Sequence, residues 1–309
     1  MKIVVIGAGL MGRGIGLTFA RAGHRVTLID RSQPILDGAI ATIRDSTLTL
    51  VQHGSLAPKA VEPLLGRITC ESDLASQVAD ADFIAEVVPE VAAIKQEVIC
   101  AIDAAAPARA VIMSNTSGLD VFALAGERMR YPERLITAHW YAPAHIMPLV
   151  EVAPGPQSSK EVTDRTAQLL RHAGKFALVM KRFAPGYVVN KIQHSFAGAM
   201  FDLLQSDLVE PGDIDRAVKA VLGIRIPILG IVQSMDFNGL DTVLAICATL
   251  GIDVPLLQEK VEAGHLGAST GRGVYDYGER SPDEIVRDRD LTFLRTIDFL
   301  NSIQAFEPL

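Results

Sequence analysis

The chain has 309 residues, 49% hydrophobic and 21% charged, which suits two folded domains with a substantial core. Its net charge is −7 and no basic cluster stands out, which argues against nucleic acid or an anionic membrane as a partner. Cys70, Cys100 and Cys247 lie far apart with no metal-ligand spacing, so no metal is expected and they read as buried free thiols in a reducing, cytoplasmic compartment.

Lys2 aside, residues 1–6 form an apolar run, as a strand buried on both faces requires. Gly7, Gly9 and Gly12 follow with the spacing G-x-G-x-x-G. Gly7 permits a tight turn, Gly9 lets a pyrophosphate approach the backbone, and Gly12 lets the next helix pack against the sheet. That helix is expected from Leu10 to Ala22, with Leu10 and Met11 at its N-terminus, where free N–H groups favour phosphate. A second strand, Arg25 to Ile29, ends on Asp30, 18 residues after Gly12. A carboxylate there accepts the hydroxyls of an adenosine ribose and repels a 2′-phosphate, so NAD is expected over NADP; Arg31 is the one neighbour that suits the phosphorylated form. The glycines and Arg13 argue against a signal peptide. With no uncharged apolar run of about 18 residues, no transmembrane helix is expected.

After Asp30 the periodicity predicts a helix from Gln33 to His53 and a shorter one from Pro58 to Leu65, a hairpin inserted between strands. Further strands are expected at Ile68 to Cys70, Asp82 to Ala85, Val111 to Met113, Leu135 to Ala138, Leu149 to Ala153 and Phe176 to Met180. Helices are expected at 91–106 and 158–173. This alternation predicts a mostly parallel, doubly wound α/β sheet of the Rossmann type. After Ala184-Pro185-Gly186 the pattern becomes almost entirely helical, punctuated by Pro211-Gly212, Gly239 and Gly251. The expected domains are therefore 1–183, dinucleotide-binding, and 184–309, all-α.

Polar residues fall where strands end, the edge at which open α/β sheets bind ligands. His139 follows one strand, and Glu151 is an acid inside the apolar strand Pro148-Leu149-Val150-Glu151-Val152. Ser117 closes a Ser-Asn-Thr-Ser turn, and Asn190 opens the helical half. A histidine suits proton transfer near neutral pH, and a buried carboxylate beside it would hold its tautomer. Ser117 and Asn190 would align a substrate oxygen. Each also has an ordinary reading: a packed histidine, a paired glutamate, a capping serine, a helix-start asparagine.

The segments GAGLMGRGI, EVVPE followed by Lys95, SNTSGL, HWYAP, PLVEV, PGYVVN and TGRGVYDY occur in this order along nearly the whole chain. Together they resemble the 3-hydroxyacyl-CoA dehydrogenase family in its short, two-domain form. The resemblance implies an NAD-dependent enzyme with His139 as base, Glu151 as its partner, Ser117 and Asn190 aligning substrate, and Glu90, Lys95 and Asn115 near the cofactor. The family's usual His-Phe-Phe-Asn-Pro is here His139-Trp140-Tyr141-Ala142-Pro143, so any role of the asparagine is lost.

The hairpin region from Pro34 to Ile68 holds only Arg44, Lys59 and Arg67 as cations, against Asp37, Asp45 and Glu62. That surface is poorly suited to the phosphates of CoA. Arg225 lies in the apolar segment Gly223-Ile224-Arg225-Ile226-Pro227, where a buried cation wants an anionic partner. Arg225 is expected to bind a substrate carboxylate, with an internal ion pair or surface turn as the plain alternative. Trp140, Tyr141 and His145 are expected to line the pocket. The substrate expected is a small hydroxy acid: a sugar acid, a carnitine-like compound or a pyridine carboxylate. A true hydroxyacyl-CoA dehydrogenase and a non-catalytic, crystallin-like NAD-binding protein are the alternatives. A homodimer through the helical domain is expected.

Overall fold

A computed structural model describes residues 1–307. Eight strands form one sheet: β1 (Lys2–Ile6), β2 (Arg25–Ile29), β3 (Ile68–Glu71), β4 (Phe83–Glu86), β5 (Val111–Ser114), β6 (Leu135–Trp140), β7 (Leu149–Pro154) and β8 (Phe176–Val179). Their spatial order is β3-β2-β1-β4-β5-β6-β7-β8. Pairing is parallel except between β6 and β7, which run antiparallel.

The helices among the strands are α1 (Leu10–Arg21), α2 (Gln33–Gln52), α3 (Val61–Leu65), α4 (Leu74–Val78), α5 (Ala92–Ala105), α6 (Val121–Ala125) and α7 (Lys160–His172). Strand alternation divides the core between the two faces of the sheet. Ile3 and Val5 of β1 join a cluster with Phe19 of α1, Ile43 of α2 and Leu170 of α7, whereas Val4 and Ile6 join Ile99 of α5 and Val121 of α6.

Four details depart from the sequence reading. Helix α4 was not expected; it has five residues, too few to show a period, and Asp73 caps it by accepting from the backbone N–H groups of Ala75 and Ser76. Strand β6 runs on to Trp140, so His139 lies within the strand rather than beyond it. The three cysteines are half-buried rather than buried. Finally, one helix, Pro211–Asn238, does have the length and apolar content to cross a membrane, although Pro227 and a non-helical Gly230 (φ 68°) break it.

The chain divides into compact units at residues 1–194 and 195–309, a division that falls inside α8 (Val189–Gln205). The second unit contains α9 (Pro211–Asn238), α10 (Leu240–Thr249), α11 (Pro255–Glu262) and α12 (Pro282–Ser302). It is not helical throughout. Residues 271–278 form a turn-rich segment around the buried Asp236, whose carboxylate accepts from the N–H groups of Val274 and Tyr275 and from the Tyr277 hydroxyl. Apolar side chains such as Phe201, Leu208, Val221 and Leu250 are exposed on this unit.

Candidate active site

The glycine loop has the geometry its spacing predicts. Gly7 adopts φ 106°, and a Cβ there would stand 2.6 Å from the Val87 carbonyl oxygen. A Cβ on Gly12 would stand 1.7 Å from the Gly7 carbonyl oxygen, so only glycine allows α1 this close to the sheet. Gly9 has open space within 4 Å of its Cβ position and no side chain caps α1, which leaves the helix N-terminus to a ligand. Leu10 is exposed and Met11 half-buried at that terminus. Asp30 ends β2 beside a cleft of about 470 Å³ bordered by Gly7, Ser32, Val88 and Pro89. Its carboxylate accepts from the N–H of Ala8 at 3.0 Å and of Ser32 at 3.0 Å, which fixes it at the rim with lone pairs to spare. These residues fit an adenosine diphosphate moiety: glycine loop and helix end for the pyrophosphate, Asp30 for the ribose.

Asp30→Ala should raise KM for NAD about tenfold to hundredfold, since each hydrogen bond to a charged group is worth ~1.5–3 kcal/mol. Steady-state kinetics with NAD varied will check this; an unchanged KM would remove Asp30 from the ribose site.

A second group closes the ends of β4 and β5. Glu86 and Lys95 are buried and paired at 2.8 Å, and Lys95 also reaches Glu90 at 3.3 Å. Ser114 donates to the other oxygen of Glu86. Glu90 gathers the turn after β5, accepting from the Thr116 hydroxyl at 2.6 Å and from the N–H groups of Ser117 and Gly118 at 2.9 and 3.1 Å. Burial pushes the Glu90 carboxyl up, but these bonds and the Lys95 charge outweigh it and hold it below its ordinary value. Asn115 accepts from the Trp140 N–H at 2.8 Å, tying β5 to β6. Glu90, Lys95 and Asn115 thus shape the sheet edge. Glu86 and Ser114 were not singled out from the sequence; an acid and a serine ending two neighbouring apolar strands were the available signal.

The third group centres on His139. In the antiparallel ladder His139 stands directly opposite Glu151, so both side chains emerge on one face. Both are buried, and His139 Nδ1 lies 3.2 Å from Glu151 Oε2. The same oxygen accepts from the Tyr141 hydroxyl at 2.6 Å, while Oε1 accepts from the N–H groups of Val188 and Val189 at 3.0 and 3.1 Å. Burial raises the Glu151 carboxyl, but the bonds from His139, Tyr141, Val189 and Val188 prevail and hold it below its ordinary value. Ionised Glu151 is an acceptor only, so Nδ1 carries the hydrogen and Nε2 the lone pair. The His139 ring stacks on Tyr187 at 4.5 Å and meets Tyr141 edge-on at 4.6 Å. Tyr187, at φ 48°, anchors its hydroxyl on the Thr116 carbonyl at 2.9 Å.

Asn190 is half-buried, directly after the two N–H groups that hold Glu151, so it belongs to this cluster. Ser117 is exposed, with its N–H on Glu90 and no partner for its hydroxyl among the described residues.

Trp140 is a correction. It alternates with His139 along β6, so its ring points to the other face, buried edge-on against Phe19 and beneath the Lys175 ammonium. It therefore does not stand beside His139; Tyr141, two residues after His139, packs edge-on to the imidazole instead. His145 likewise lies elsewhere, in a cleft with Arg21, His172 and Lys175. Arg225, in the second unit, is half-buried rather than buried; it donates to the Asn238 side-chain oxygen at 3.2 Å and has no carboxylate partner among the described residues. Tyr187 was missed, because its part depends on a contact 48 residues away from His139 and a left-handed backbone that sequence does not announce.

Comparison with known proteins matches residues 2–183 to the NAD-binding domain of 3-hydroxyacyl-CoA dehydrogenase and residues 186–277 to its C-terminal domain. A probable 3-hydroxybutyryl-CoA dehydrogenase of Deinococcus radiodurans is 35% identical over 285 residues, 90% of this chain and 100% of that protein. The 5-formyl-3-hydroxy-2-methylpyridine 4-carboxylate 5-dehydrogenase of Mesorhizobium japonicum is 29% identical over 283 residues, 89% of this chain and 90% of its own. Among solved structures, a 3-hydroxyacyl-CoA dehydrogenase of Archaeoglobus fulgidus superposes with a TM-score of 0.82 at 30% identity, covering 97% of this chain and 99% of the other.

Proposed function

The chain belongs to the 3-hydroxyacyl-CoA dehydrogenase family of NAD-dependent oxidoreductases, and from that membership we propose that it oxidises the CH–OH group of a small hydroxy carboxylic acid to a carbonyl. The observation that carries the chemistry is the donor-saturated Glu151 carboxylate, which leaves Nε2 of His139 as the open basic position. His139 takes the hydroxyl proton at Nε2, and the imidazolium that forms faces an ionised carboxylate. Ser117 and Asn190 orient the substrate oxygen. Bound NAD supplies the acceptor for the hydride.

The preference for a free acid rests on the hairpin of α2 and α3. Arg44 there is paired with Glu62 and Arg67 donates to the Ala20 carbonyl, so among the described residues Lys59 is the one uncommitted cation of the hairpin region, too few for the phosphates of CoA. The Mesorhizobium relative, whose name gives a pyridine carboxylate as its substrate, lends weight to the same reading. The reading assigns the substrate carboxylate to Arg225, whose half-buried charge lacks an ionic partner among the described residues. We also infer a homodimer formed through the exposed apolar side chains of the helical unit, and a cytoplasmic location consistent with the free cysteines.

The deciding experiment measures NADH formation with a panel of hydroxy acids and hydroxyacyl-CoA thioesters. If 3-hydroxybutyryl-CoA gives a higher kcat/KM than every free acid, the substrate reading fails. If no compound gives NADH, the crystallin-like alternative takes its place. Arg225→Met should raise KM for the best carboxylate substrate about tenfold or more, as loss of a charge-assisted hydrogen bond implies, with KM for NAD unchanged. An unaltered substrate KM would free Arg225 of the role.

A further inference from the structure

The Glu151 oxygen nearest His139 is shared. Oε2 lies 3.2 Å from His139 Nδ1 but 2.6 Å from the Tyr141 hydroxyl, so the phenol has the shorter bond. The phenol is itself held: the Asn190 N–H approaches it, and its ring lies edge-on to the imidazole. A continuous chain of donors therefore runs from the start of α8 through Tyr141 to Glu151, where it meets the His139 N–H. The resemblance read from the sequence has phenylalanine at this position, and phenylalanine would leave Oε2 to the histidine alone.

Two donors on one carboxylate oxygen compete. Each draws electron density from it and weakens the other's bond. We propose that Tyr141 is a positioning residue: by donating to the oxygen that His139 also uses, it loosens the carboxylate's grip on the imidazole proton and sets how readily His139 takes and releases that proton. This deepens the proposed role of His139 as base and rests on it. The groups facing the imidazole are Glu151 on β7, Tyr141 just beyond β6 and Tyr187 ahead of α8; Glu86, Glu90 and Lys95 stand behind Tyr187 at the β4 edge. Of these, Tyr141 alone both touches the ring and bonds its carboxylate partner. Its own phenol is driven well above its usual range by burial and by Glu151, so it remains a donor at every working pH.

The test is an NMR titration of the ¹⁵N-labelled histidines in the full chain, with the His139 signal assigned from its absence in His139→Gln. In Tyr141→Phe, Oε2 is left to the imidazole alone while Oε1 keeps its two backbone donors, and the His139 midpoint should rise by about 0.5–1 pH unit. The acid limb of the kcat/KM profile should move the same way, with substrate KM little changed. Placing 3-fluorotyrosine at position 141 makes the hydroxyl a stronger donor and should move the midpoint down; it serves equally if the phenylalanine variant does not fold. A midpoint that stays fixed in both variants, or moves in the same direction in both, overturns the proposal. The titration needs no substrate, so failure of the hydroxy-acid reading in the turnover assay leaves the judgement on Tyr141 intact.

Discussion

His139→Gln should lower kcat about 10³-fold, within the range that positioned acid–base groups supply, while KM for NAD stays within a few fold. Glutamine occupies similar volume and can still meet Glu151, but it has no basic lone pair at the Nε2 position. The hydroxyl proton would then have to leave to solvent, and His139 is nearly closed to solvent. The cofactor cleft beside Asp30 shares no lining residue with the His139 pair, so NAD affinity should survive. Single-turnover and steady-state rates at several pH values will check this. A variant within tenfold of the parent rate would displace His139 as the base.

Glu151→Gln is expected to cost about 10²–10⁴-fold in kcat and, separately, stability. Four donors converge on the carboxylate: His139, Tyr141, and the N–H groups of Val188 and Val189. An amide offers one acceptor oxygen, so its NH₂ must face two of those donors, at a cost of ~1–3 kcal/mol for buried groups left unmet. If the amide oxygen turns to the backbone pair, the imidazole is driven towards the wrong tautomer. The sign of the pH effect follows from the depressed carboxyl. Because its folded pKa lies below the ordinary carboxylate value, the stability it contributes is complete above that ordinary value and is lost as pH falls through the folded one. The melting temperatures of parent and variant should therefore differ most near neutrality and converge in acid. A constant difference down to pH 3 would contradict the linkage.

The residues that were legible in sequence are those whose role is fixed locally. Gly7, Gly9, Gly12 and Asp30 act through backbone conformation and a short strand–helix–strand unit, so their spacing suffices. His139 and Glu151 were legible because a charged group in an apolar strand needs a reason, and each supplies the other's. Direction was harder. With β6 ending at Ala138, Trp140 could be imagined beside His139; once the strand extends to Trp140, alternation forces it onto the opposite face. Tyr187, the gathering of the 116–118 turn by Glu90, and the break at Gly230 depend on long-range contacts or a positive φ, and local pattern encodes neither.

The reversal of β7 against β6 has a consequence for how such a protein can diverge. His139 and Glu151 are rungs of one ladder, flanked by the Ala138↔Val152 and Trp140↔Val150 pairs. A slip of one residue would send the glutamate to the other side of the sheet. The distance between the imidazole and its carboxylate partner is therefore fixed by strand pairing, and amide exchange along residues 136–140 should be as slow as in the deepest core. Residues outside the ladder that neither bond Glu151 nor pack on the imidazole can change without altering that spacing.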